Sequence, residues 1–291
     1  MKILITGCYG QVGSCLVQQL SELNGVEFLA VDRDRLDITN AAAVSQLVNT
    51  FQPDMIINAA AHTAVDKAEQ EVELSYAINR DGPAFLAQAA NAVGAAMLHI
   101  STDYVFAGDK AEAYTEADVT APQGVYGASK LAGELAVVAA CPRHIILRTA
   151  WVFCESGNNF VKTMLRLSQT RDELDVVADQ FGGPTYAGDI ASALITIAKA
   201  LQSGNQHYGI YHFAGLPHVN WHQFACEVFR QAKEQGIIDK AMRVNAITSD
   251  QYPTPAKRPA NSKLDCQHIA HCFGIQPSDW QAALKNLKDY L

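Results

Sequence analysis

The sequence lacks any long uninterrupted run of apolar residues. No stretch reaches the roughly 18 residues that a membrane-spanning helix needs, so we expect no transmembrane segment and no membrane partner. The amino terminus has only the short apolar run Ile3 to Ile5 before Thr6 and Gly7. That run is too short for the apolar core of a signal peptide, and we expect a cytoplasmic protein.

Positive charge is scarce as well. The chain has 22 Lys and Arg against 30 Asp and Glu, which gives a formal net charge of -8. Nucleic-acid binding depends on clustered cations that contact phosphates, so this balance argues against DNA or RNA as a partner. A small-molecule substrate is the better expectation.

Cysteines are few and show no pairing pattern. The seven of them are scattered without any C-x-x-C spacing, whereas a disulfide framework or a zinc ribbon needs regular pairs. We interpret them as reduced thiols. Two cysteines and two histidines crowd between Cys266 and Cys272, but we interpret that segment as a polar helix face and predict no metal site there.

The chain does contain short apolar runs that alternate with longer amphipathic stretches, a pattern typical of βαβ units. With 291 residues, 49% of them hydrophobic, it can bury a large core. We predict an α/β fold with a doubly wound parallel Rossmann-type sheet and a smaller, discontinuous C-terminal substrate-binding portion. The predicted strands are 2–6, 27–31, 55–58, 97–100 and 144–147, and the first helix runs from 11 to about 23.

The regular alternation breaks after residue 150. We therefore assign residues 1–150 to a dinucleotide-binding domain and residues 151–291 mainly to a substrate-binding portion. An apolar run at 209–213 is predicted to return to the sheet as a late strand.

Three glycines separate the first predicted strand from the first helix. Gly7, Gly10 and Gly13 form G-x-x-G-x-x-G, and glycines at such a turn let backbone amides face a pyrophosphate. Asp32 ends the second strand, where a carboxylate accepts a hydrogen bond from an adenosine ribose hydroxyl. We predict a dinucleotide site here; a plain structural turn is the alternative.

Tyr126, Lys130 and Thr102 point to acid-base chemistry. Tyr126 and Lys130 stand four residues apart, so their side chains share one face of a helix. Thr102 follows a predicted parallel strand, at the edge where open α/β sheets bind ligands. An adjacent ammonium lowers the pKa of a phenol, and we predict that Lys130 does so for Tyr126. A solvated surface pair is the alternative.

These motifs resemble those of the extended short-chain dehydrogenase/reductase family, whose marks are T-G-x-x-G-x-x-G, a central N-A-A and Y-x-x-x-K with an upstream Ser or Thr. Longer segments narrow the resemblance to members that act on dTDP-4-dehydrorhamnose. They include P-D-M-I-I-N-A-A-A-H-T-A-V-D-K-A-E from Pro53, S-T-D-Y-V-F from Ser101, V-Y-G-A-S-K-L-A-G-E from Val125, L-R-T-A-W-V-F from Leu147, G-N-N-F-V-K-T-M-L-R-L from Gly157 and P-T-P-A-K-R-P-A-N-S from Pro253. The match spans nearly the whole chain.

The resemblance implies an NAD(P)H-dependent oxidoreductase that uses NADPH or NADH. It would reduce the C4 keto group of dTDP-4-dehydro-L-rhamnose to dTDP-L-rhamnose, the last step of dTDP-rhamnose biosynthesis, and so supply a nucleotide sugar for polysaccharide biosynthesis. A dTDP-sugar would be its substrate partner.

The resemblance also implies roles for individual residues. Thr102, Tyr126 and Lys130 would be catalytic. The cofactor would be bound by Gly7, Gly10, Gln11, Val12, Asp32, Arg33, Asp37, Ile38, Ala59, Ala60, Ala61, Thr63, Tyr126 and Lys130. The sugar nucleotide would be bound by Thr102, Tyr104, Trp151, Asn159 and Arg258.

Three other functions compete with this interpretation. A dehydratase of the same fold carries Thr-Asp-Glu where this chain has Thr102, Asp103 and Tyr104, so the glutamate that removes the C5 proton is missing. A 4-epimerase would retain tightly held NAD through purification. A non-catalytic regulatory subunit, like the β subunit of methionine adenosyltransferase, is disfavoured by the intact Thr102, Tyr126 and Lys130.

Some family members hold magnesium between subunits through glutamates, one of them at the position of Cys15 here. A thiol is a poor ligand for that hard cation. We therefore predict no metal and a monomer or weak homodimer: activity needs no magnesium, and EDTA leaves the mass measured by light scattering unchanged. A dimer that dissociates on chelation would contradict the inference from Cys15.

Overall fold

The structure, a computed structural model, describes residues 1–291. Its strands are β1 (Lys2–Thr6), β2 (Glu27–Val31), β3 (Met55–Asn58), β4 (Ala96–Thr102), β5 (His144–Thr149), β6 (Val152–Phe153), β7 (Glu173–Val177), β8 (Phe181–Gly182), β9 (Thr185–Tyr186), β10 (Gly209–His212), β11 (Val219–Asn220), β12 (Arg243–Ile247) and β13 (Asn261–Ser262). Its α-helices are α1 (Gln11–Ser21), α2 (Ala41–Phe51), α3 (Val65–Ala68), α4 (Val72–Tyr76), α5 (Gly82–Ala92), α6 (Val125–Ala140), α7 (Phe160–Ser168), α8 (Ala187–Gln202), α9 (Trp221–Glu234), α10 (Gln267–Phe273) and α11 (Trp280–Ala283). A π-helical turn spans Ala77–Asp81, and short 3₁₀ segments span Asp103–Val105, Ser249–Gln251 and Leu284–Tyr290.

Six parallel strands form the central sheet, in the order β10-β5-β4-β3-β1-β2. The strand order reverses at β1, so the sheet is doubly wound and the predicted Rossmann-type α/β fold is confirmed. Thr6 pairs in register with Asn58, and Thr102 pairs with Thr149, at the carboxyl edge of the sheet. This edge gathers the glycine loop, the segment after β3 and Thr102.

Helices cover both faces of the sheet. Ile3 and Ile5 pack into the cluster that includes α1 and α8, while Leu4 packs on the opposite face with α2 and α5. All three side chains are fully buried. Burial on both faces explains why these strands are continuous apolar runs in the sequence rather than alternating ones.

The later half of the chain divides its elements between two places. The strand β10 joins the central sheet beside β5, and α8 packs against α1. The paired strands β7 and β12 pack with α7 and α9 around a second, aromatic core that includes Phe153, Phe224 and Trp280. None of the helices combines the length and the apolar character needed to cross a bilayer.

One ion pair is buried within the fold. Arg148 on β5 donates from Nε and Nη2 to the two carboxylate oxygens of Glu134 on α6, at 2.9 and 2.7 Å. The two side chains are 3% and 2% exposed. This bidentate pair ties α6, the helix that carries Tyr126 and Lys130, to the sheet.

Removing one charge of this pair should destabilise the protein strongly. Glu134→Gln leaves the Arg148 guanidinium buried without a counter-charge, and we expect a loss of about 3–5 kcal/mol in the free energy of unfolding, measured with urea. Glu234→Gln is the control, because Glu234 pairs with Arg230 at an exposed surface. The control should lose less than about 1 kcal/mol. Equal losses in the two variants would contradict this account of the pair.

Candidate active site

The turn between β1 and α1 leaves backbone amides without acceptors. Gly7 has a φ of 72°, which glycine adopts without strain, and a Cβ on Gly13 would lie 2.0 Å from the Gly7 carbonyl oxygen. The amides of Gln11, Val12 and Gly13, in the first turn of α1, have no acceptor within the chain. A Cβ on Gly10 would meet a single atom, at 3.3 Å, so the space over the loop is open. Free amides at a helix N-terminus fit a pyrophosphate.

Asp32 lies beside this loop at the end of β2. Its carboxylate accepts hydrogen bonds from the amides of Tyr9, at 3.2 Å, and Arg33, at 2.6 Å. These bonds hold the carboxylate next to the glycine turn. Arg33 and Arg35 are exposed and take part in no ion pair. The end of β2 thus offers one fixed carboxylate and two free guanidinium groups.

The remaining predicted cofactor residues follow β2 and β3. The hydroxyl and amide of Thr39 donate to Asp37 and lower the pKa of its carboxyl. Ile38 is buried and its side chain packs in the core, so the structure does not present that side chain to a ligand. Residues 59–61 continue directly from β3 at the same edge of the sheet, and Thr63 lines the large cavity described below.

Thr102 ends β4 at the carboxyl edge of the sheet. Its hydroxyl donates to Asp103 Oδ1 at 2.9 Å and accepts from the amide of Tyr104 at 3.2 Å. The Thr102 hydroxyl also lowers the pKa of the neighbouring Tyr126 phenol. Burial raises the pKa of Asp103 to about 6. The sequence analysis did not select Asp103 as a site residue. Its position directly after Thr102 could have identified it.

Tyr126 and Lys130 lie one turn apart on α6. We expected Lys130 to lower the pKa of Tyr126, but burial raises the pKa of this phenol, and the Thr102 hydroxyl lowers it by less. The Nζ atom of Lys130 donates instead to the carbonyl oxygen of Ile100 at 2.7 Å. Burial lowers the pKa of Lys130 to about 8. Tyr126 is therefore a neutral phenol, the form that can donate a proton.

A cavity of about 830 Å³ adjoins these residues. Tyr104, which lines it, packs edge-on against Tyr126 with ring centroids 5.4 Å apart. Trp151, also in the wall, stacks on Trp221 with centroids 3.6 Å apart. The sequence analysis selected Trp151 but missed Trp221, which is distant in the chain and carries no local motif.

Arg258 lies in the same wall and already has a partner. Its Nη2 donates to Asp66 Oδ2 at 2.6 Å, whereas its Nη1 is buried without any hydrogen-bond partner. The guanidinium lowers the pKa of Tyr104, but burial has the larger effect and raises that pKa to about 12. Both N–H donors of Nη1 thus remain without an acceptor, as recognition of an anion requires. Sequence reasoning did not predict Asp66.

Asn159 does not line this cavity. Its side chain caps α7 by accepting from the Lys162 amide at 3.1 Å, and it donates to Gln11 Oε1 at 3.1 Å and to the Cys154 carbonyl at 2.7 Å. A residue predicted for the sugar nucleotide therefore contacts one predicted for the cofactor. Cys15, one turn further along α1 from Gln11, is buried rather than exposed.

Known proteins match the chain over its full length. A family model described as the RmlD substrate binding domain matches residues 1–291. The dTDP-4-dehydrorhamnose reductase of Aggregatibacter actinomycetemcomitans is 53% identical over 290 residues, which cover 99% of each chain. The chain belongs to the dTDP-4-dehydrorhamnose reductase family. The resemblance stated from its sequence motifs is confirmed.

Two solved structures of proteins in this family share its fold. The dTDP-4-dehydrorhamnose reductase of Clostridium acetobutylicum has a TM-score of 0.91 and 43% identity, with 99% of both chains covered. That of Bacillus anthracis, solved in complex with NADP, has a TM-score of 0.89 and 38% identity, with 98% and 97% covered. Sequence and structure comparisons therefore agree on the family.

From the charged residues at the end of β2, we predict that both NADPH and NADH are used. Asp32 favours the free 2′-hydroxyl of NADH and repels the 2′-phosphate of NADPH, while Arg33 and Arg35 offset that repulsion. We expect catalytic efficiencies within about thirtyfold of each other, equivalent to roughly 2 kcal/mol. Arg33→Ala should lower efficiency with NADPH more than with NADH in steady-state kinetics.

Arg143→Ala is the matched control for this experiment, because Arg143 is exposed and precedes β5 at the opposite edge of the sheet. It should change neither efficiency. A preference of about a hundredfold or more for one coenzyme in the wild type, equivalent to about 2.7 kcal/mol, would contradict the balance assigned to Asp32 and the two arginines.

Proposed function

We propose that this protein reduces the C4 keto group of dTDP-4-dehydro-L-rhamnose to dTDP-L-rhamnose, with NADPH or NADH as the reductant. The observation that carries this proposal is the 53% identity, over 290 residues, with a reductase of that name. The geometry at the edge of the sheet supports it, since Thr102 and Tyr126 are neighbours and Tyr104, which packs on Tyr126, lines the large cavity. The product would feed polysaccharide biosynthesis.

The residues around the glycine turn fit a nicotinamide dinucleotide. We assign the pyrophosphate to the free amides of Gln11, Val12 and Gly13 and the adenosine ribose to Asp32. Tyr126 and Lys130 are assigned to the nicotinamide ribose. The reduced coenzyme supplies a hydride when it is bound; the residues of this chain orient the reactants and handle the proton.

Proton transfer falls to Tyr126. Because burial raises the pKa of its phenol, Tyr126 holds its proton at neutral pH and can release it to the oxygen at C4 as charge develops there. The Thr102 hydroxyl, which donates to Asp103 in the ligand-free protein, would turn to donate to the same oxygen, in a bond that strengthens with that charge. Lys130, in its protonated ammonium form, would stabilise the Tyr126 phenolate that results.

The large cavity is assigned to the sugar nucleotide. The stacked Trp151 and Trp221 offer a flat apolar surface for a deoxysugar or thymine, and the free Nη1 of Arg258 suits a diphosphate. In this proposal residues 1–150, joined by β10, bind the coenzyme, and residues 151–291 mainly bind the substrate. A monomer or weak homodimer is the assembly that we propose.

Coupled turnover tests the function. Purified protein is supplied with dTDP-4-dehydro-L-rhamnose and NADPH, then NADH, while absorbance loss is followed and the product is identified. Formation of dTDP-L-rhamnose in step with coenzyme oxidation is expected. Protein that retains NAD through purification and interconverts C4 epimers without consuming added reductant would indicate an epimerase. Inactive protein that copurifies with a catalytic synthetase would indicate a regulatory subunit.

Tyr126→Phe tests the assigned proton donor. Loss of the hydroxyl should lower turnover by roughly two to four orders of magnitude, the usual scale of a positioned acid. Binding of NADPH, measured by fluorescence titration, should stay close to normal. Tyr208→Phe is the control, because Tyr208 lies at the opposite edge of the sheet, just before β10. Turnover of Tyr126→Phe within about threefold of wild type would contradict the assignment.

A further inference from the structure

A buried chain of polar side chains connects β1 to Lys130. Thr6 Oγ1 donates to Asn58 Oδ1 at 2.7 Å, Asn58 Nδ2 lies 3.0 Å from His99 Nδ1, and His99 Nε2 lies 3.4 Å from Lys130 Nζ. All four residues are buried, with at most 2% of their surface exposed. The contacts run across β1, β3 and β4 to α6. They end on the lysine assigned to the reaction.

One backbone amide fixes the direction of these hydrogen bonds. The amide of Ala60 donates to Asn58 Oδ1 at 3.0 Å. Since a backbone N–H can only donate, the atom of Asn58 that faces it must be the oxygen. The other terminal atom of Asn58 is then the nitrogen, which donates to His99 Nδ1. This nitrogen of the imidazole must therefore lack a proton.

The remaining proton of His99 faces Lys130. Burial lowers the pKa of His99 well below its ordinary range, so the ring is neutral and carries one proton. With Nδ1 accepting from Asn58, that proton lies on Nε2. An ammonium has three donors and no acceptor, whereas a neutral amine has a lone pair that accepts this N–H.

The other groups around Lys130 act on its protonation less directly than the His99 N–H does. Its Nζ also donates to the carbonyl oxygen of Ile100. Glu134, on the same helix, raises the pKa of Lys130, but Arg148 on β5 holds that carboxylate in the buried pair. Burial has the larger effect and lowers the pKa of Lys130. Asp103, in the turn after β4, accepts from Thr102.

Charged groups on the helices that pack against the other side of α6 have partners of their own or face solvent. Asp66 pairs with Arg258, His62 with Glu71 and Arg80 with Asp81, Glu69 accepts from the Val125 amide, and Lys67 and Glu73 are exposed. The remaining titratable neighbour on α6 itself is Tyr126, a neutral phenol. No carboxylate therefore contacts the Lys130 Nζ directly.

We propose that His99 is a positioning residue for the reductase reaction, which donates its Nε2–H to Lys130 and thereby favours the neutral amine in the ligand-free protein. The effect of His99 on activity rests on the proposed function, in which Lys130 binds the nicotinamide ribose and stabilises the phenolate. In that function the charged form of Lys130 is required, so activity declines as pH rises through the titration of Lys130. The N–H of His99 makes that decline begin at a lower pH.

The tautomer of His99 can be measured directly. In wild-type protein labelled with ¹⁵N-histidine, nitrogen chemical shifts distinguish protonated from unprotonated ring nitrogens, and His99→Gln assigns the signals. We expect a protonated Nε2 and an unprotonated Nδ1 at neutral pH. A proton on Nδ1, alone or together with one on Nε2, would overturn the proposal. No substrate or coenzyme is present, so this result is independent of the proposed function.

Asn58→Asp should reverse the direction of the hydrogen bonds between residue 58, His99 and Lys130. A carboxylate accepts at both oxygens, so His99 should carry its proton on Nδ1 and present the lone pair of Nε2 to an ammonium at Lys130. We expect the nitrogen shifts to report this change, and the basic limb of the kcat/KM profile to move upward by about one pH unit.

Asn79→Asp controls for the charge of a new buried carboxylate. Asn79 is as fully buried as Asn58, but it bonds to His62 and Ser129 instead of His99. The basic limb should move less in this variant. Equal movement in both variants, or movement in Asn58→Asp without a change of tautomer, would show that charge alone acts and would overturn the role of His99. If Asn58→Asp does not fold, the wild-type tautomer decides.

Discussion

The register of three parallel strands is the constraint on which the proposed site depends. Thr6 on β1 pairs with Asn58 on β3, and Asn58 pairs with His99 on β4, so three polar side chains lie side by side within an apolar sheet. Parallel strands also end at one edge, where the glycine loop and Thr102 meet. A slip of one residue would turn each side chain to the opposite face and separate these groups.

The strands that the sequence predicted correctly are those with unambiguous ends. The bounds of β1, β2 and β3 match the predicted 2–6, 27–31 and 55–58, because Gly7 and Asp32 directly follow the first two strands and Asn58 closes the third apolar run. The strands β4 and β5 continue beyond their apolar runs to Thr102 and Thr149. Both extensions are polar yet buried, since the ladder between the two strands continues through them. Composition does not reveal such pairing.

The residues of the candidate site also fall into those that the sequence could identify and those that it could not. Residues in local motifs, such as the glycine loop and the Tyr126–Lys130 pair, could be selected from the sequence because spacing alone brings them together. Trp221, Asp66 and His99 could not, because each acquires its partner from a distant segment. His99 in particular lies in an apolar strand and shows its significance only when the register places Asn58 beside it.

Burial affects both members of the Tyr126–Lys130 pair in the same chemical sense. It raises the pKa of the phenol and lowers that of the amine, so it disfavours the phenolate and the ammonium alike. The resting scaffold thus shifts both equilibria toward the neutral forms, whereas the proposed reaction ends with a phenolate beside an ammonium. Because the Glu134 charge is held by Arg148, contacts made by the bound coenzyme and substrate must supply the stabilisation of that charge pair. Charge separation is then coupled to occupancy of the site.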